Sequence, residues 1–163
     1  MLSNLMKPTT FQQFSKRYQV KTIEYGFYTK AVASWIVSGE SRLSYTTIIR
    51  LSEFCREYHW HKDLVVDNSF TNLDSITKSI EAEFFSPIHV NNWIAITYQV
   101  AEVRRKGYKL AITISDKEGG RIYAKINMIS VFFDEILGSS VEPPLEIINI
   151  LKHLQFQFFG GTS

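Results

Sequence analysis

The residues able to do chemistry in this sequence are few, and their spacing rules out more site types than it supports. Arg104-Arg105-Lys106 is the densest basic run. Planar guanidinium forks match phosphate oxygens, so the run could hold phosphates; the plainer reading is a solvated hairpin turn whose charges guard a strand edge. Cys55 falls on the apolar stripe of a helical segment, where a thiol is structural rather than nucleophilic. His59 and His61 bracket Trp60, while His89 and His153 are scattered elsewhere, so no metal-ligand set forms in register. No Gly-rich phosphate loop, Gly-x-Ser-x-Gly elbow or dinucleotide fingerprint occurs. Backbone chemistry remains. The amides of Tyr45, Thr46 and Thr47 open a helix, lack intrahelical acceptors and add the positive end of its dipole, which suits them to polarising a carbonyl.

These groups need elements to hold them. Beginning at Ser44, a good N-cap, the segment 45–59 has neither Gly nor Pro and places Ile48, Leu51, Cys55 and Tyr58 on one stripe, widened by Ile49 and Phe54. Its one polar stripe is Thr46, Arg50, Glu53 and Glu57. A helix so apolar around its circumference must be largely buried. The cover is supplied downstream by three segments of period two: Ile94, Ile96, Tyr98 and Val100; Tyr108, Leu110, Ile112 and Ile114; Ile122, Ala124, Ile126 and Met128. Two glycine-containing turns, at 104–107 and 116–120, join them into an antiparallel meander. Upstream, Ile76, Ile80, Ala82 and Phe84 form a further strand that Pro87 limits. Odd positions from Ile23 to Val37 predict an extended or bent strand interrupted at Gly26, with a short helical turn over 9–17 before it. Residues 61–72 read as a loop, Gly138-Ser139-Ser140 as a linker, and Leu145 to Leu154 as a short, peripheral amphipathic helix after Pro143-Pro144.

At 163 residues the chain fits one domain, 1–163, with a core over about 18–134 and a C-terminal extension over 135–163. A net charge of +2 with scattered charges gives no bulk electrostatic argument for a nucleic-acid partner. One cysteine excludes an internal disulfide, residues 1–10 lack the basic start and apolar run of a secretory signal, and no apolar run approaches membrane-spanning length. A cytoplasmic protein is the expectation. The many aromatic residues, among them Tyr25, Phe27, Trp35, Trp93 and Phe132, line either a core, an interface or an apolar tunnel.

The order strand, loop, buried helix, loop, strand and meander resembles the hotdog fold of the acyl-CoA thioesterase superfamily, in its 4-hydroxybenzoyl-CoA thioesterase-like form. Residues 85–94, Phe-Ser-Pro-Ile-His-Val-Asn-Asn-Trp-Ile, look like that family's approach to its long central strands. The turns at 103–108 and 116–124, closed by Val131-Phe132-Phe133-Asp134, look like its strand-turn-strand ending. The resemblance implies an α+β fold with a curved antiparallel sheet wrapped around the central helix. It also implies a site near that helix's N-terminus, usually at a dimer interface, where a carboxylate drives thioester hydrolysis. Laid on this chain, the helical carboxylate of one subfamily falls on Glu53, and the loop aspartate of another falls near Glu40 or is replaced by Ser38. The family's His-Gly-Gly before the helix is replaced by Tyr45-Thr46-Thr47. On this resemblance the substrate is an acyl-CoA or acyl-carrier protein, whose coenzyme A or phosphopantetheine is part of the substrate and not a separate cofactor. Arg104, Arg105 and Lys106 would meet its phosphates, and the assembly would be a homodimer or dimer of dimers. Two alternatives stand beside hydrolysis: a noncatalytic acyl- or pantetheine-binding or assembly module, and a hotdog dehydratase or hydratase. The latter calls for a histidine beside the carboxylate, and none lies in 39–54.

Overall fold

Period-two segments and one apolar helix set the architecture, which the computed structural model describes for residues 10–36, 39–65 and 72–159. The readings placed on residues 1–9, on Val37 and on Ser38 lie outside the described residues, as does the 66–71 part of the expected loop. The elements in order are α1 (Phe11–Arg17), β1 (Val20–Ile23), β2 (Gly26–Lys30), a 3-10 turn (Ala33–Trp35), α2 (Tyr45–His59), a π-helical turn (Trp60–Leu64), β3 (Leu73–Phe84), β4 (Trp93–Val103), β5 (Gly107–Asp116), β6 (Ile122–Asp134), β7 (Ser139–Ser140) and α3 (Leu145–Phe159). The sheet order is β1-β2-β4-β5-β6-β3, with β7 paired to β6. No helix among the described residues is long and apolar enough to cross a membrane. The described residues group into two compact units, one drawn from 1–59, 82–98 and 112–126, the other from 60–81, 99–111 and 127–163.

In the first unit, α1 begins with a capping box in which Thr10 Oγ1 accepts the Gln13 N–H while Gln13 Oε1 accepts the Thr10 N–H. Its Phe14 ring stacks on Phe54 of α2 at 4.6 Å and 11°, and Glu57 Oε2 accepts the Phe11 N–H at 3.0 Å. Ile48, Leu51, Phe54 and Cys55 are buried along α2. Ile48, Leu51 and Phe54 each contribute about 1.5–3 kcal/mol of transfer free energy. Tyr58 anchors the helix end by donating its hydroxyl to the Ile23 carbonyl at 2.8 Å.

The extended or bent strand expected before α2, interrupted at Gly26, is a hairpin, β1–β2, followed by the 3-10 turn. Gly26 is where it folds back: Ile23 pairs with Gly26, φ there is +152°, and a Cβ would lie 2.1 Å from the Ile96 carbonyl oxygen. Only glycine permits that approach. The β2–β4 ladder ends at Lys30 opposite Trp93. Past that point Ala33–Trp35 closes a turn through the Trp35 N–H to Val32 carbonyl bond, so the buried Ala31 and Trp35 mimic strand alternation without being a strand.

The second unit centres on Trp60, Leu64, Val100, Tyr108, Leu110, Met128 and Phe132, all buried. The expected loop after α2 starts later than its polarity implied, because the Val65 N–H reaches back five residues to the Trp60 carbonyl and buries Trp60 and Leu64. The Gly138 linker is a tight reversal whose Asp134 Oδ1 accepts the Ile136 and Leu137 amides, returning Ser139-Ser140 onto Phe133-Asp134. Helix α3 is longer than expected and is not peripheral: Ile147 and Leu151 are fully buried, and Gln155 Nε2 donates to the Ala101 carbonyl at 3.0 Å. Along the meander, the inward set is buried except Ile122 at the start of β6. The aromatic residues considered for a tunnel divide: Phe27, Trp35 and Phe132 are fully buried core, Tyr25 packs edge-on to Tyr98, and Trp93 is part-exposed under Lys117.

Candidate active site

Helix α2 starts where the sequence places it because Ser44 caps it. Its Oγ accepts the Thr47 N–H at 3.2 Å and its carbonyl accepts the Ile48 N–H. Thr47 is itself buried, its hydroxyl lying between Ser44 Oγ at 3.1 Å and the Trp35 carbonyl at 3.5 Å. The Thr47 amide is therefore committed to the cap. The amides of Tyr45 and Thr46, which head the helix without intrahelical acceptors, are the donors of the first turn that the cap does not take.

A pocket of about 280 Å³ opens here, lined by Glu40, Arg42, Leu43, Ser44 and Tyr45. Leu43 is buried beneath it, and the Tyr45 ring stacks on Phe84 of β3 at 4.2 Å. The pocket thus has an apolar side from Leu43 and Tyr45 and a charged rim from Glu40 and Arg42. The segment 39–42 is exposed at every residue, and Gly39 sits at φ +89°. Glu40 makes no side-chain hydrogen bond or ion pair among the described residues.

The other candidate carboxylate stands elsewhere. Glu53 Oε2 lies 2.9 Å from Arg50 Nη1 with its side chain 39% exposed, and the same guanidinium covers the Phe54 ring at 4.3 Å. This i,i+3 pair is the ordinary use of charges on a helix stripe, and Glu53 does not line the pocket. Structure thus brings Glu40, Tyr45 and the first turn together and leaves Glu53 with Arg50.

Sequence reasoning passed over His89, which is 48 residues along the chain from Ser41. Arg42 and His89 form an isolated antiparallel bridge, the Leu43 N–H donates to the Ile88 carbonyl at 2.9 Å, and His89 Nδ1 lies 3.3 Å from the Ser41 carbonyl. Nothing local in residues 85–94 signalled which segment His89 would touch.

The basic run borders a separate cleft of about 460 Å³ in the second unit, lined in part by Arg104, Arg105, Glu142, Leu145 and Lys152. Arg104 forks onto Glu102 at 3.0 and 3.3 Å, and Arg105 meets Glu142 at 2.9 Å. The Arg104 hydrogen bond, then its charge, lowers the Glu102 carboxyl pKa below its ordinary value. Lys106 is not among the lining residues; its carbonyl accepts the Phe132 N–H. Cys55 is buried with its thiol 3.9 Å from the Ile96 carbonyl, and burial pushes its pKa far above the ordinary thiol range. Among the described residues no three His, Cys, Asp or Glu side chains cluster as a metal site would require.

Neither a family model nor a curated protein matches the sequence. Solved structures do match. The hypothetical protein SAV2348 from Staphylococcus aureus, solved in complex with CoA, is similar at TM-score 0.70 and 11% identity over 85% of each chain. Slr0204, a 1,4-dihydroxy-2-naphthoyl-CoA thioesterase from Synechocystis, is similar at TM-score 0.68 and 10% identity over 80% of this chain and 96% of that one. YbaW, a probable thioesterase from Escherichia coli, is similar at TM-score 0.68 and 15% identity over 80% and 98%. At these identities the likeness establishes the fold: an antiparallel sheet with a central buried helix, the hotdog fold, with a C-terminal helix added.

Proposed function

We propose that this chain hydrolyses the thioester of an acyl group carried on coenzyme A or on the pantetheine of a carrier protein. The observation that carries the reading is the pocket at the head of α2, which Glu40, Arg42, Ser44 and the apolar Leu43 and Tyr45 line. The solved structures of this fold that bind CoA or are thioesterases support the same substrate class. In this reading Glu40 is the general base that takes a proton from the attacking water. The Tyr45 and Thr46 amides receive the developing oxyanion, and the thiolate leaves without needing much acid help. Arg104 and Arg105 are proposed for the phosphates, exchanging exposed carboxylate partners that are held weakly. A second copy is proposed along β3, a twelve-residue strand at the end of the sheet order that exposes Ile76 and Ile80. Light scattering at micromolar concentration tests it, with a monomer counting against it.

The deciding experiment measures thiol release from short, medium, long and aromatic acyl-CoA substrates by wild type, Glu40→Gln and Glu53→Gln. Loss of a general base costs about 10²–10⁴-fold, and that loss is expected for Glu40→Gln alone. A comparable loss in Glu53→Gln would move the base to the helix. Acyl-CoA binding without turnover in the wild type would make the chain a noncatalytic binding module.

A further inference from the structure

We infer that His89 is a positioning residue: its imidazole tethers the exposed segment that carries Glu40 and Arg42 to the pocket. The inference rests on the proposed role of Glu40. The acceptor, the Ser41 carbonyl, cannot donate, so the proton lies on Nδ1 and the imidazole is the donor of the 3.3 Å contact. The base on which His89 stands is built for rigidity. Its own N–H donates to Asn92 Oδ1 at 3.0 Å, and the Asn92 N–H returns to the His89 carbonyl at 3.2 Å. Asn91 holds a left-handed φ of +72°, and the pair is fastened to the end of β2 by the Asn91 N–H to Ala31 carbonyl bond and the Ala31 N–H to Asn92 carbonyl bond.

Among the described residues, the segment being held reaches its backbone bridge at Arg42, opposite His89. Gly39, Glu40, Ser41 and Arg42 are all exposed, whereas Leu43 and Ile88 beyond them are buried and joined by a backbone bond. Burial therefore holds the chain from Leu43 onward, the Arg42–His89 bridge holds Arg42, and the imidazole extends that hold one residue further, to Ser41, the neighbour of Glu40. Because His89 is itself exposed, its loss does not open the core. What it changes is where the carboxylate stands, and displacement of a reacting group by about 1 Å costs on the order of a hundredfold in rate.

The test compares His89→Ala, His89→Asn and His89→Gln. The asparagine amide nitrogen reaches the place of Nδ1, whereas that of glutamine reaches the place of Nε2. We expect kcat for thiol release to fall tenfold to a hundredfold in His89→Ala and His89→Gln with KM within about threefold, and His89→Asn to restore kcat to within about threefold of wild type. An unchanged kcat in His89→Ala overturns the inference. So does an asparagine variant as poor as alanine, which would mean the imidazole moves protons itself. A second arm needs no turnover: hydrogen exchange of the peptide covering 39–43 should quicken in His89→Ala but not in His89→Asn, while that of 94–98 stays as in wild type. If the wild type hydrolyses nothing, the proposed function fails, and this arm alone decides the tether. Unchanged exchange in His89→Ala overturns it.

Discussion

Phe54→Ala tests whether α1 and α2 share one aromatic core. The Phe54 ring is fully buried with Phe14 stacked on it at 4.6 Å and the Arg50 guanidinium 4.3 Å from its centroid. Truncating a buried phenylalanine costs about 3–5 kcal/mol through lost transfer energy and the cavity left behind. The aromatic pair adds about 0.5–1.5 kcal/mol beyond area, and the cation over the ring about 0.5–1 kcal/mol. The expected loss is thus about 4–7 kcal/mol, a large fraction of the roughly 5–15 kcal/mol that holds a domain together. The assay is urea unfolding of wild type, Phe54→Ala, Phe14→Ala and the double variant, read from the midpoint at constant slope. Because the two rings touch, the cycle should show a coupling of about 0.5–1.5 kcal/mol. A single-variant loss below about 2 kcal/mol with no coupling would refute the packing of α1 on α2, since neither ring would then be in the core.

Among the described residues Thr29 Oγ1 is buried without a hydrogen-bond partner, so Thr29→Val, which keeps the shape and removes the hydroxyl, should stabilise by about 1 kcal/mol in the same unfolding assay. Gly26→Ala should destabilise by at least about 2 kcal/mol, because its Cβ would meet the Ile96 carbonyl and φ is +152°. A near-neutral result in thermal unfolding would place the β1–β2 turn differently. Cys55, buried and with its thiol pKa raised by burial, should react with a thiol reagent only as fast as the chain opens; rapid labelling of the native protein would show the α2 stripe to be accessible.

Much of the fold was legible because its signals are local. Helix α2 spans 45–59 as its cap and apolar stripe required, and the meander buries the side chains that its alternation named, Ile122 excepted. Errors fell where a local pattern has two solutions. Alternation from Ile23 to Val37 read as an extended or bent strand interrupted at Gly26; the interruption is a full hairpin, because Gly26 closely approaches β4, and a 3-10 turn instead of a strand buries Trp35. Polarity over 61–72 read as loop, but a π turn over 60–64 takes up its start and buries Leu64 beside Trp60.

The candidate site divides in the same way. Sequence alone determined that a capped helix begins at Ser44, that its first-turn amides are donors, and that Glu53 has Arg50 within reach on the same stripe. All of these follow from helical geometry over three or four residues. Only the tertiary structure decided that Glu40 borders the pocket, that Tyr45 stacks on Phe84, and that His89 meets Ser41 across 48 residues. Those contacts depend on how the chain returns after β3, and periodicity carries no information about which turn a returning segment will touch.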